Sequence, residues 1–298
     1  MADLPVTGRI LLTGASGQVG GELLQTLTGF GEVVAPGRSE MDLADMDSVR
    51  AAVRSVRPRW IVNPAAYTAV DKAESEPELA YAINRDAVRV MGDEAERIGA
   101  GVIHFSTDYV FDGGGTEPYF ETDATGPVSV YGASKLAGEV ALAESGAAHM
   151  IFRTSWVYGA TGKNFLLTIL RLAREREVLR VVGDQHGAPT WSRDLARLTA
   201  AVMSKVGIED LKELGGIYHA AGAGETTWFG FAAAAVRLLQ ERQSGVKLAG
   251  IEAISTAEYP TAAKRPANSR LHCGKLAAQL GWRMMDWQES LSKVMGEV

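Results

Sequence analysis

The chain has 298 residues, 46% of them hydrophobic and 22% charged, the make-up of a soluble globular protein long enough for two lobes with separate cores. A net charge of −6 argues against a nucleic-acid partner, which needs a basic face, but leaves room for an anionic small molecule held by local arginines and helix N-termini. No run of 18 apolar residues offers a membrane span, no basic-then-apolar start reads as a secretory signal, and the single Cys273 makes no internal disulfide, so a cytoplasmic protein with one buried thiol is expected.

The first strand-like run, residues 10–13, leads into Thr13-Gly14-Ala15-Ser16-Gly17-Gln18-Val19-Gly20 and then a helical pattern over 18–29. Strand, glycine turn and helix in that order form the setting of a dinucleotide fingerprint. Gly14 permits the tight turn, Gly17 lets backbone approach a pyrophosphate, and Gly20 allows close helix–strand packing. Gln18 and Val19 open the helix beside them.

The second run, 33–35, ends near Pro36-Gly37-Arg38-Ser39. An Asp or Glu there would bind the 2′-hydroxyl of NAD, whereas Arg38 and Ser39 suit a 2′-phosphate. NADPH is therefore the expected cofactor and NADH the alternative, with Asp42 and Leu43 flanking the adenine. A helix over 46–56 and a strand over 60–63 follow, ending in Asn63-Pro64-Ala65-Ala66-Tyr67, where small residues let a cofactor pass close to backbone.

After a helix over 77–98 the run 102–106 ends in Ser106-Thr107-Asp108-Tyr109. Thr107 is placed to hydrogen-bond a substrate oxygen, although a Ser or Thr after a strand is more often a cap. The helix over 131–145 carries Tyr131 and Lys135, which share a face at i and i+4. Bringing a Tyr from its ordinary pKa of about 10 to near 7 takes roughly 4 kcal/mol. An ammonium at ~4 Å in a partly screened site supplies about that much. The pair therefore predicts a proton-transferring phenol tuned by Lys135.

The fifth run, 150–154, ends in Thr154-Ser155-Trp156. The arginines at 171, 174, 176 and 180, broken by Glu175 and Glu177, read as a solvated helix face. Runs at 180–183 and 216–220 are expected to add strands to the same sheet. Strict alternation of strand and helix implies an α/β fold, a Rossmann-type doubly wound parallel sheet. The expected division is a dinucleotide-binding unit over 1–156 with further strands from 179–220. A smaller substrate-binding lobe over 157–178 and 222–298 would cover the C-terminal strand ends.

On these residues the chain resembles the dTDP-4-dehydrorhamnose reductases of the extended short-chain dehydrogenase/reductase superfamily, from Ile10 to about Trp287. Narrower matches than the Tyr-Lys pair are Val70-Asp71-Lys72-Ala73-Glu74, Ser106-Thr107-Asp108-Tyr109-Val110-Phe111, Gly187-Ala188-Pro189-Thr190 and Arg265-Pro266-Ala267-Asn268-Ser269-Arg270-Leu271. The resemblance implies reduction of the C4 ketone of a dTDP-linked 4-keto-6-deoxy sugar by hydride from a nicotinamide. Tyr131 would donate the proton, Lys135 would hold the ribose and tune Tyr131, and Thr107 would orient the oxygen. It further implies sugar contacts from Val70, Asp108 and Trp156, and a nucleotide-facing role for Arg265 and Asn268.

The chain departs from that pattern in places. Arg38 replaces the acidic residue that some relatives carry, and Pro64 removes one backbone donor. Some relatives bind Mg²⁺ at a dimer contact through three glutamates. Glu22 matches one of these, but Arg193 stands where a second would be, so no metal is expected there and dimerisation is left open. An epimerase or dehydratase is the rival enzyme, but Tyr109 follows Asp108 where a dehydratase would have Glu. A non-catalytic regulatory subunit is the other rival, and it would have no need of Thr107, Tyr131 and Lys135 together.

Overall fold

The computed structural model describes residues 8–243 and 247–298; residues 1–7 and 244–246 of the two expected units lie outside it. Six strands form one sheet: β1 (Arg9–Leu12), β2 (Glu32–Val34), β3 (Trp60–Asn63), β4 (Gly101–Thr107), β5 (His149–Thr154) and β6 (Gly216–His219). Their spatial order is β6-β5-β4-β3-β1-β2, and each neighbouring pair is parallel. The order reverses between β1 and β3, the place where such a sheet opens a crevice beyond its carboxyl ends.

Period-two alternation sends Ile10 and Leu12 to one face of the sheet and Leu11 to the other. The first face, with Trp60, Val62, Ile103, Phe105 and Phe152, packs against Leu23 of helix Gln18–Thr26 and Leu195 of helix Ser192–Lys205. The second face, with Ile61, Val102 and Ile151, packs against Val49 and Val53 of helix Met46–Val56 and Met91 of helix Ala87–Ile98. Burial on both faces is why these strands read as nearly unbroken apolar runs.

Local chemistry sets the helix boundaries. Asp45 accepts from the N–H groups of Asp47 and Ser48 to start Met46–Val56, and Ser129 accepts from Gly132 to start helix Val130–Glu144; such caps contribute about 1 kcal/mol each. The stretch expected as one helix over 77–98 is Pro77–Tyr81, a π turn at Ala82–Asp86, then Ala87–Ile98. The π turn aims Asn84 inward, where it accepts from the Tyr67 N–H at 2.8 Å and donates to the Tyr67 carbonyl and the Ser134 hydroxyl.

The run expected to extend the sheet at 180–183 does not do so. Val178–Val182 pairs instead with Gly250–Ile254 in a separate two-stranded parallel ladder. That ladder packs with helices Phe165–Glu175 and Trp228–Arg242, burying Ile169, Leu179, Val181 and Val236. A neighbouring cluster gathers Tyr158, Leu166, Phe231, Trp287 and Leu291. Leu276 and Met284, by contrast, return to the core of the sheet's first face. Helix Gly274–Leu280 lies beside edge strand β6, and Lys275 donates to the Ile217 carbonyl at 2.6 Å.

Candidate active site

Gly14 follows β1 at φ +59°, in the left-handed region, and a Cβ at Gly20 would sit 2.0 Å from the Gly14 carbonyl oxygen. Only glycine at both places lets helix Gln18–Thr26 seat on the turn. That helix begins at Gly17 with no side-chain cap and no acidic residue in its first turn, leaving N–H groups and a positive dipole end for an anion. Gln18 is spent on protein contacts, donating to the Val157 carbonyl and accepting from Asn164 at 3.0 Å.

Two cavities meet at the turn. One of about 600 Å³ is lined by Gly14, Arg38, Asp42, Leu43, Ala65, Ala66 and Ile83. The other, of about 340 Å³, is lined by Gly14, Gly17, Gln18, Val19, Gly20, Ala65, Ala66, Ser106, Tyr131, Lys135 and Thr154. Their shared residues make one cleft beyond the carboxyl ends of β1, β3 and β4. Arg38 is largely exposed, 3.6 Å from Asp42, so its guanidinium remains available to a ligand. Ser39 is exposed, and Tyr67 turns its phenol to Glu76 at 2.6 Å. The buried hydroxyls of Ser106 and Thr154 have no hydrogen-bond partner among the described residues, and both residues line the inner cavity. Such orphaned groups suit a polar ligand in the cleft.

Tyr131 and Lys135 both line that inner cavity, as their spacing required. The expected tuning of one by the other is not what the structure shows. The Lys135 ammonium turns to β4, donating to the Phe105 carbonyl at 2.6 Å and lying 3.2 Å from His104 Nε2. Burial lowers Lys135 to about 8, with Glu139 pulling it up. Burial also raises the Tyr131 phenol, Asp108 and Tyr109 add to that, and the neighbouring Thr107 hydroxyl pulls it down. Desolvation outweighs the pairing here. Tyr131 is thus a neutral phenol with the Thr107 hydroxyl near enough to pull its pKa down.

Thr107 also plays the part of a cap, accepting from Tyr109 N at 3.2 Å and donating to Asp108 Oδ1 at 3.0 Å. Asp108 is buried and raised to about 6 by desolvation, with the nearby Ser269 hydroxyl and the hydrogen bond from Thr107 pulling the other way. Trp156 takes φ +47°, a conformation that costs a non-glycine residue about 1–2 kcal/mol. It stacks on Trp228 with centroids 3.7 Å apart and lies against Gly187, where a Cβ would come within 2.6 Å of the indole.

Val70 begins the short helix Val70–Ala73. The next residue, Asp71, binds the Arg265 guanidinium at 2.9 Å; the Arg265 charge pulls down the burial-raised Tyr109 phenol, and its buried Nε is unpartnered among the described residues. Asn268 departs from the expected nucleotide-facing role: it is buried, donating to the Glu117 carbonyl at 2.8 Å and accepting from Arg270. Its amide shapes the segment that carries Ser269. Sequence reasoning did not single out Ser269, Trp228, Ile83 or His104. Of these, Ser269 lies within the quoted Arg265–Leu271 string and His104 is a polar residue inside the apolar run of β4; Trp228 and Ile83 left no trace in the sequence.

Away from the cleft, Arg193 lies between two carboxylates, at 2.8 Å from Glu22 and 2.5 Å from Glu297. Its charge satisfies both within one chain.

The sequence matches the RmlD substrate binding domain family over residues 8–298. It is 46% identical to dTDP-4-dehydrorhamnose reductase of Escherichia coli, over 97% of each chain. Among solved structures, a dTDP-4-dehydrorhamnose reductase from Clostridium acetobutylicum superposes with a TM-score of 0.89 at 35% identity, covering 97% of this chain and 98% of that one. The same enzyme from Bacillus anthracis, solved in complex with NADP, gives a TM-score of 0.89 at 34% identity over 100% of both chains.

Proposed function

The chain belongs to the family of dTDP-4-dehydrorhamnose reductases, and on that premise we propose that it reduces the C4 ketone of dTDP-4-dehydro-6-deoxy-L-mannose to dTDP-L-rhamnose with NADPH. It is an oxidoreductase. The observation that carries the substrate reading is the meeting of Tyr131 and Lys135, with Thr107 near the Tyr131 phenol, at the inner end of a cleft whose outer end offers an uncapped helix start and Arg38.

Gly14, Gly17, Val19 and Gly20 would hold the pyrophosphate, Asp42 and Leu43 would flank the adenine, and Arg38 would face the 2′-phosphate. NADPH bound there supplies a hydride to the carbonyl carbon. The alkoxide formed by reduction is a stronger base than a phenolate, so the proton moves downhill from Tyr131 to the C4 oxygen. A neutral phenol is the form this step consumes, and burial keeps Tyr131 neutral. Thr107 holds the same oxygen, and Lys135 offsets the phenolate left behind. Val70, Asp108, Trp156 and Arg265 form the sugar side. The Arg193 clamp on Glu22 and Glu297 leaves no carboxylate there for a divalent ion, so we assign no metal. NADPH chemistry and the free Cys273 thiol fit a cytoplasmic setting.

Mixing protein, NADPH and the dTDP-4-keto sugar should give loss of NADPH absorbance and a dTDP-L-rhamnose product. No loss at saturating sugar would overturn the assignment.

A further inference from the structure

Beneath the cleft, a chain of enclosed polar side chains crosses the sheet from the glycine turn to Lys135. Thr13 Oγ1 lies 2.5 Å from Asn63 Oδ1, Asn63 Nδ2 lies 3.0 Å from His104 Nδ1, and His104 Nε2 lies 3.2 Å from Lys135 Nζ. At its far end Thr13 accepts from the Ala65 N–H at 3.4 Å. Thr13, Asn63, His104 and Lys135 are 3%, 2%, 0% and 1% exposed, so water satisfies none of them.

A neutral imidazole has one N–H and one lone pair. When Lys135 is an ammonium it can only donate, so His104 must offer its lone pair at Nε2 and carry its proton on Nδ1. Asn63 then turns its amide oxygen to Nδ1 and its NH₂ to Thr13. When Lys135 is an amine it accepts from Nε2–H, Nδ1 faces the Asn63 NH₂, and the Thr13 hydroxyl donates to Asn63 Oδ1. Each arrangement keeps every link between the four side chains, and the two differ by one proton, the imidazole tautomer and an amide rotation that takes Asn63 Oδ1 away from the Thr13 O–H.

We propose that His104 is a positioning residue for Lys135: its two tautomers let this buried lysine hold or release a proton without losing its bond to the imidazole, and Asn63 and Thr13 tie that state to the backbone of the cofactor cleft. The consequence for turnover rests on the reading above, in which the Lys135 charge supports Tyr131. The groups facing Lys135 are His104 from β4, Tyr131 on the preceding turn of its own helix and Glu139 on the following turn; Glu139 is paired with Arg153 of β5 at 2.6 Å. His149 of β5 acts on His104. Burial and the Lys135 charge hold His104 well below the usual imidazole range, so it remains a neutral imidazole, free to change tautomer, while Lys135, held at about 8, titrates.

The test is a nitrogen-NMR titration of Lys135 in the full-length protein, with lysine selectively labelled. His104→Leu removes a charge-assisted bond from the ammonium and a weaker neutral one from the amine, so on balance it should lower the Lys135 midpoint by about one pH unit, or roughly tenfold in its acid constant. His104→Gln, whose amide oxygen can accept from Lys135, should restore most of that shift. Asn63→Leu, which deprives Nδ1–H of its acceptor, should move the midpoint in the same direction as His104→Leu and covers the case in which that variant does not fold. A midpoint unmoved in His104→Leu or in Asn63→Leu overturns the proposal, as does one lowered equally by Leu and Gln at His104. Because this readout uses no sugar, it stands apart from any failure of the reductase reading. In the reductase assay, the alkaline limb of kcat/KM should shift in the same order.

Discussion

Tyr109 and Tyr131 meet edge to face, with ring centroids 5.4 Å apart and planes at 74°. The contact holds the Tyr131 ring while leaving its hydroxyl beside Thr107. Tyr131→Phe keeps the ring contact and removes only the phenolic oxygen. It should therefore leave NADPH affinity and unfolding midpoint near wild type while lowering kcat by about 10²–10⁴. Turnover close to wild type would reject Tyr131 as the proton donor.

Arg38 stands at the mouth of the outer cavity with, among the described residues, only a long contact to Asp42. A charge-assisted hydrogen bond to a phosphate is worth about 1.5–3 kcal/mol. Arg38→Ala should thus weaken NADPH by roughly 10- to 100-fold and NADH much less, measured by fluorescence titration. Equal losses for the two would remove it as the 2′-phosphate contact.

Asp108 gives a pH signature. Its carboxyl is raised from 3.8 to about 6, so the folded state binds more protons than the unfolded chain between those values. Stability contributed by this group is accordingly full below 3.8 and is lost as the pH rises through about 6. Asp108→Asn should flatten that slope in urea unfolding and raise stability at neutral pH by about 1–3 kcal/mol. An unchanged slope would contradict the carboxyl's burial cost.

Gly138 tests the seating of the helix that bears Tyr131. In an exposed helix, Gly to Ala stabilises by up to about 1 kcal/mol. Here a Cβ would fall 2.0 Å from the Asn84 carbonyl oxygen of the π turn. Gly138→Ala should therefore destabilise, by about 1–3 kcal/mol for an overpacked contact. A gain in thermal midpoint would show that the two segments separate easily.

At the Arg193 clamp, wild-type stability and activity should not respond to a chelator. Arg193→Glu would bring a third carboxylate beside Glu22 and Glu297. The variant should lose stability, as like charges meet, and regain it with millimolar Mg²⁺ or Ca²⁺ in a thermal melt. No response to either ion would show that the three carboxylates cannot converge.

Much of the architecture was legible because its causes are local. Glycines at 14, 17 and 20 and the apolar strand runs each mark an element close to where it lies; the Asp45 and Ser129 caps are equally local but were not read from the sequence. The first helix was read slightly long: it stops at Thr26 and tightens into a 3₁₀ turn over Leu27–Gly29. What escaped is set by distance along the chain. A short apolar run such as 178–182 does not declare its partner strand, and nothing near Trp156 announces Trp228. The direction of the Lys135 side chain was equally hidden. Spacing gives a shared helix face, whereas the carbonyl of Phe105 and the ring of His104 decide where the ammonium goes.

The return of Leu276 and Met284 to the sheet core, with Lys275 fastened to Ile217, bears on how broken copies of this chain behave. A product ending before residue 274 would bare the backbone rim of β6 together with the grease that Leu276 and Met284 conceal. Unsheltered rims of that kind pair with one another. Shortened copies should therefore collect as aggregates instead of persisting as soluble nucleotide-binding halves.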